Sequence, residues 1–320
     1  MAEGTPASSL RKGVLFLVTS AFGFTLMGMF VHLADFHGGH ISAIQKSFFR
    51  NLVALALAAV LFARGRKRRA AAETRRQKGT KVWALLMARA VFGTVGVFGN
   101  FYALSNMPVA DALMLNKLAP FFTVLFSWLF IRERISFRQA LCLAMAFAGA
   151  TFVVKPGFGT AALAPALCGV AGGVGAGAAY TCLRELGIMK VDGAFIVLFF
   201  SAFSTLASVP FMLVEFHPMT AAQVMILMGA GAAAALGQFA VTAAYRFAEA
   251  RRIAVWDYTN IIFGAILGFL AFGQVPDVWS VLGFALIVSA AAAGNLWYNR
   301  RNARPNAGCQ RQCRQSSAPR

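Results

Sequence analysis

The sequence predicts an all-α membrane protein of ten transmembrane helices, arranged as two inverted five-helix repeats. Three observations carry this. Hydrophobic residues make up 59% of the chain and charged residues only 13%, far from the composition of a soluble domain. The apolar residues fall in successive blocks of about 20, the length needed to cross ~30 Å of hydrocarbon. The basic residues alternate between crowded and nearly empty connections, as membrane orientation demands.

The blocks place spans at 13–33, 42–63, 82–104, 110–131, 137–154, 164–184, 193–214, 221–245, 253–273 and 278–298. The first is long enough to be an uncleaved span, and no cleavable signal peptide is evident. This divides the chain into an N-terminal segment (1–12), a first repeat (13–154), a second repeat (164–298) and a basic tail (299–320) with no apolar pattern, which reads as disordered. The segment Arg64–Lys81 holds nine basic residues. With the formal charge of +19 it raises nucleic-acid or lipid-headgroup binding. The plainer reading is a cytoplasmic loop, with the lipid bilayer as partner and no nucleic acid.

Orientation follows from the same charges. Arg11 and Lys12, the Arg64–Lys81 loop, Arg132, Arg134 and Arg138, Arg184 and Lys190, Arg246, Arg251 and Arg252, and the arginines of the tail fall on one side. The other side holds only Lys155. Both termini are thus expected in the cytoplasm, with the chain in the inner (plasma) membrane. A shift of 141 residues lays Gly96 on Gly237, Asn116 on Asp257, Lys117 on Tyr258 and Glu133 on Gln274. Under that shift Arg132, Arg134 and Arg138 meet Gly273, Val275 and Trp279, so equivalent loops carry opposite charge bias. Two five-helix copies in opposite orientation require this, and inverted repeats are a transporter signature.

Spacing also marks close packing. Gly169, Gly173 and Gly177 recur on one helix face, and Gly93, Gly96 and Gly99 recur at three; small residues let backbones approach in lipid. The five cysteines lack metal-ligand spacing and read as structurally neutral.

The stretch Asp111–Arg134 reads as one spanning helix with Asn116 and Lys117 inside it and Pro120 breaking its hydrogen-bond ladder as a hinge. Leu118-Ala119-Pro120 with Glu133 at the end of that helix, Phe49-Arg50 in the second span, and the ten-span architecture over about residues 10–298 resemble the EamA-domain branch of the drug/metabolite transporter superfamily. In the second repeat, Ile261 stands where the pattern has Pro and Gln274 where it has Glu. The resemblance implies a carrier of small metabolites, often an exporter, and names no substrate.

Charged groups within spans are costly and mark sites. Counting 1.5 Å per residue puts Arg50 about 12 Å and Lys117 about 10 Å from the outer face, and Arg89 about 10 Å and Asp257 about 6 Å from the inner face. Arg50 and Lys117 thus have no acid at their level and invite an anionic group. Arg89 and Asp257 fall close enough to pair, as a proton-coupling unit or as a structural lock. Asn100, Asn116, Gln238 and Tyr258 are candidates for substrate binding; Asn100, Gln238, Tyr180 and Tyr258 read equally as interhelical glue. Lys46 lies near enough to the outer surface to snorkel. His32, His37, His40 and His217 gather on the outer side and read as solvated rather than as a metal site. Spans 3, 4, 8 and 9 are expected to line a cavity near the midplane.

The expectation is therefore a non-enzymatic carrier without cofactor, moving a small amphipathic or anionic metabolite, such as an amino-acid-like compound, by alternating access, either proton-coupled through Asp257 or by facilitated flow down a gradient. A single chain and a homodimer are both compatible with the sequence. The rivals are an intramembrane enzyme, against which neither His-Glu-x-x-His nor Gly-x-Ser-x-Gly is found, and a receptor or scaffold, which would want a large soluble domain.

Overall fold

A computed structural model describes residues 6–36, 41–69, 79–106, 115–154, 163–214, 216–273 and 275–302. Among these residues the secondary structure is helical throughout, with no strand. In order, α1 is Pro6–Phe36, α2 Ala43–Arg69, α3 Thr80–Asn106, α4 Ala119–Phe126, α5 Phe137–Val154, α6 Leu163–Ile188, α7 Gly193–Val214, α8 Ala221–Phe247, α9 Thr259–Phe272 and α10 Val278–Asn302. A π-helical turn, Ser127–Ile131, extends α4, and a short helical turn with a 3-10 stretch, Ala250–Tyr258, leads into α9. Among the described residues, seven helical segments are long and apolar enough to cross a membrane, and three more, Ala119–Ile131, Phe137–Phe152 and Val278–Ala293, are apolar but shorter.

Several expectations change in detail. The basic run from Arg64 to Arg69 belongs to the last turns of α2 rather than to a loop, since Arg and Lys are good helix formers. Helix α10 continues past Tyr298 to Asn302. Asp111, Lys155, Gln274, His37, His40, Cys309 and Cys313 lie outside the described residues. The fourth predicted span is not one continuous helix. Leu115 and Asn116 are helical, Lys117 and Leu118 form a turn, and α4 restarts at Ala119. Pro120 sits in the first turn of the new helix rather than interrupting an old one. That is where a residue without an N–H costs least.

The packing crosses between the two halves of the chain. Helix α1 lies along α8, and α3 lies along α6; α2 meets α7 and α8, and α7 also meets α3; α4 lies on α6, α9 on α1, and α5 on α10. Glycines permit these approaches. A Cβ on Gly175 would lie 2.7 Å from the Phe92 carbonyl and 2.9 Å from Gly96 N. On another face of α6, a Cβ on Gly173 would lie 2.8 Å from the Leu115 carbonyl. So the predicted Gly169, Gly173 and Gly177 face receives the broken segment, while Gly172 and Gly175 receive α3. One buried apolar cluster includes Leu17, Leu86, Leu183, Ile196, Val241 and Ile253, and a second joins Val124, Leu143, Ile261 and Ile287.

Charge gathers at one end of the bundle. Arg184 pairs with Glu133 at 2.8 Å, Lys81 with Glu185 at 2.7 Å, and Arg251 and Arg252 with Glu249 at 2.6 and 2.8 Å. Arg251 also donates to the Arg134 carbonyl. Glu133, which ends the fourth predicted span, is largely covered where it meets Arg184 of α6. At the opposite end Gln45 and His217 exchange hydrogen bonds of 2.9 and 3.0 Å, side chain to backbone.

Burial alone would push the Glu249 carboxyl up. The hydrogen bond from Arg251 and the charges of Arg252, Arg251 and Arg184 outweigh it and hold the group below its ordinary value. A depressed acid stabilises the fold above its unfolded pKa, and that contribution is lost as pH falls through the lower folded value. We expect the melting temperature of Glu249→Gln to depend less on pH than wild type below about pH 4.5. Parallel curves for the two proteins across that range would show that the cluster is not stabilising.

Candidate functional site

The break before α4 and the 3-10 stretch before α9 meet in the interior. The Tyr258 hydroxyl donates to the Lys117 carbonyl at 2.9 Å. Lys117 Nζ donates to Asn260 Oδ1 at 2.7 Å. A turn frees backbone carbonyls that a continuous helix would occupy, and the Tyr258 hydroxyl satisfies one of them. Lys117 is only 5% exposed, so its ammonium is held inside the protein. Asp257, half-buried, lies within electrostatic range of Lys117 and of Tyr180, Tyr245 and Tyr258.

Arg50 on α2 and Arg89 on α3 are 6% and 3% exposed. The pairing of Arg89 with Asp257 expected from depth does not occur: no ion pair joins them. Arg89 Nη2 instead donates to Gln238 Oε1 at 3.1 Å, and its guanidinium lies 4.1 Å from the Phe200 ring centroid. The depth count failed for two physical reasons. A long arginine carries its charge well away from its Cα; here the guanidinium lies over Gly93, where a Cβ would collide with Nη1 and with Phe200. And Asp257 sits in a 3-10 stretch, which rises faster per residue than the α-helical step used for the count.

Arg50, Arg89 and Tyr180 lie within electrostatic range of one another, and the Tyr180 ring stacks on Tyr245 at 5.3 Å. Next to Arg50, Asn51 Nδ2 donates to Ser204 Oγ at 2.9 Å, tying α2 to α7. Gln238 is buried and used by Arg89; Asn100 is half-buried with Oδ1 unpartnered; Asn116 is half-buried at the break. Lys46, expected to snorkel, is buried within the protein. The structure thus groups Lys117, Tyr258 and Asp257 around the two breaks, and Arg50, Arg89 and Gln238 around Tyr180. Asn260 and Phe200 were missed by the sequence reading, and Gly93 was read only as a packing residue. Asn260 was discoverable as a polar residue inside an apolar run, whereas Phe200 among many phenylalanines carried no signal.

The profile of the EamA-like transporter family matches residues 11–155. Over 285 residues the chain is 33% identical to the pseudopaline exporter CntI of Pseudomonas aeruginosa, covering 89% of this chain and 96% of that one. The chain belongs to the EamA-like transporter family. Other relatives of this EamA protein are similarly named for transport. Solute carrier family 35 member G1 of Homo sapiens is 25% identical, over 89% of this chain and 80% of its own. A riboflavin transporter of Rhizobium johnstonii is 27% identical, over 64% and 68%. A solved crystal structure shares the fold at a TM-score of 0.75 and 20% identity, covering 91% of this chain and 98% of that one. The chain is therefore a multi-pass membrane protein of a transporter family.

Proposed function

We propose that this EamA protein is an inner-membrane exporter of a small amphipathic metabolite bearing an anionic group, such as an amino-acid-like compound. It works by alternating access between two inverted five-helix repeats. The observation that carries the substrate reading is electrostatic: Arg50, Arg89 and Lys117 are all buried, and Asp257 lies within electrostatic range of Lys117. Buried cations lacking a protein counter-charge are retained where a ligand supplies it. The name of the Pseudomonas relative supports the outward direction.

Backbone features 141 residues apart support the repeat. The turn at Lys117 matches the 3-10 end at Tyr258, and left-handed residues end both helical segments, Arg132 at φ 62° and Gly273 at φ 65°. Exchanging α1–α5 for α6–α10 also maps the packing onto itself: α1 on α8 becomes α6 on α3, and α4 on α6 becomes α9 on α1.

Metabolite profiling of cells and medium, with and without the protein, tests the activity. A compound that accumulates inside on deletion and is neutral or cationic would sink the anionic reading. The orientation has its own test. A reporter active only outside the cytoplasm should be silent at Ala72 and at the C-terminus and active at Gly38 and His217. Activity at Ala72 would overturn the orientation and the inverted-repeat reading with it.

We assign proton coupling to Asp257. Asp257 is a half-buried acid at the second break, within electrostatic range of Lys117, and acids inside spans mark proton relays. Asp257→Asn keeps the shape but cannot titrate, so it should still exchange substrate while losing accumulation driven by a pH difference. Wild-type accumulation in proteoliposomes carrying Asp257→Asn would exclude it as the coupling group.

A further inference from the structure

We propose that Arg50 and Arg89 form one seat with two guanidinium groups, and that it takes a substrate presenting two carboxylates. The proposal rests on the carrier reading above and names the class of anion that this site selects. Two like charges are held inside the protein within range of each other. That arrangement is costly unless an opposite charge joins them. Among the described residues no acid pairs with either guanidinium: Glu133, Glu185 and Glu249 are engaged by Arg184, Lys81 and the Arg251–Arg252 pair, and Asp257 makes no ion pair with them.

Both guanidiniums are also underused. Arg50 Nε and Arg89 Nε are buried without a hydrogen-bond partner, and each group has five donors in a fixed fork. Arg89 spends one on Gln238. Its position is fixed from three sides by that amide, the Phe200 ring and the bare backbone at Gly93. Beside Arg50, the Asn51–Ser204 hydrogen bond fixes α2 against α7. Each fork matches one carboxylate in bidentate fashion. A monocarboxylate would leave one buried cation unmatched, whereas two carboxylates match both. Lys117 differs, since Asn260 accepts from it and Asp257 lies in its range. The half-buried Tyr180, in range of both arginines, offers a hydroxyl to the same anion.

The experiment uses the full chain, purified in detergent, with glutarate, butyrate and putrescine as probes and thermal stabilisation as readout. Glutarate should stabilise with an apparent affinity about tenfold or more tighter than butyrate, the value of one further charge-assisted contact. Arg50→Lys and Arg89→Lys keep the charge and lose the fork, so each should bring glutarate down to the butyrate level. Equal stabilisation by glutarate and butyrate in wild type overturns the two-carboxylate seat and leaves the anionic reading standing. Stabilisation by putrescine alone, or by none of the three, overturns both. Undiminished glutarate binding in both Lys variants overturns the assignment to these arginines. The wild-type comparison needs no variant, so it decides the proposal even if a substituted protein fails to fold.

Discussion

Lys117→Met is expected to abolish transport while membrane level stays near wild type. Methionine is about as long and flexible as the lysine stem, so the packing around the break is kept. What is lost is a buried ammonium, its 2.7 Å bond to Asn260 and a cation within electrostatic range of Asp257. A hydrogen bond to a charged group contributes about 1.5–3 kcal/mol, which corresponds to roughly a tenfold to hundredfold effect if it acts on bound substrate. Leaving Asn260 unpartnered adds a stability cost of about 1–3 kcal/mol. The double variant Lys117→Met, Asn260→Leu removes both partners together, and such changes can be nearly neutral for stability. The double variant should therefore regain the wild-type melting temperature and remain inactive. Unimpaired transport by Lys117→Met would place the substrate elsewhere. Transport restored by the double variant would make Lys117 structural.

The second large effect is on folding. Gly175→Leu is expected to remove most of the folded protein from the membrane, because its Cβ would meet backbone, the Phe92 carbonyl at 2.7 Å and Gly96 N at 2.9 Å. Backbone cannot rotate away, so α3 and α6 must separate. Overpacking costs about 1–3 kcal/mol where side chains can give, and more is expected where they cannot, against a total stability of about 5–15 kcal/mol. Gly28→Leu is the control: nothing lies within 4 Å of a Cβ there. Equal yields of the two variants, measured as monodisperse protein after detergent extraction, would refute the close crossing of α3 on α6.

Apolar block length was enough to read helices and a membrane protein, and the ten-span pattern together with Leu118-Ala119-Pro120, Glu133 and Phe49-Arg50 was enough to read the family. The glycine rows showed where backbones approach. What composition could not show was the shape of interruptions. Pro120 reads as a breaker in sequence, yet it opens a new helix and the turn falls at Lys117 and Leu118. The candidate site was legible as polar residues in apolar runs, hence Arg50, Arg89, Lys117, Asp257 and Gln238. Their partnerships were not. Depth along a helix says nothing of where a six-atom side chain ends, so Arg89 was matched with Asp257 while its guanidinium lies beside Gln238 and Phe200.

The cross-half packing has a consequence for biogenesis. The most extensive contacts of α1, α2, α3 and α5 are with α8, α7, α6 and α10 respectively, all made later by the ribosome. The nascent first half therefore enters the bilayer without its burying surfaces. Asn51 and Arg89 meet their partners only when Ser204, Phe200 and Gln238 have been synthesised. The main burying partners of α1, α2, α3 and α5 thus all lie in the half of the chain made second, so the first half cannot complete its packing before the second is present.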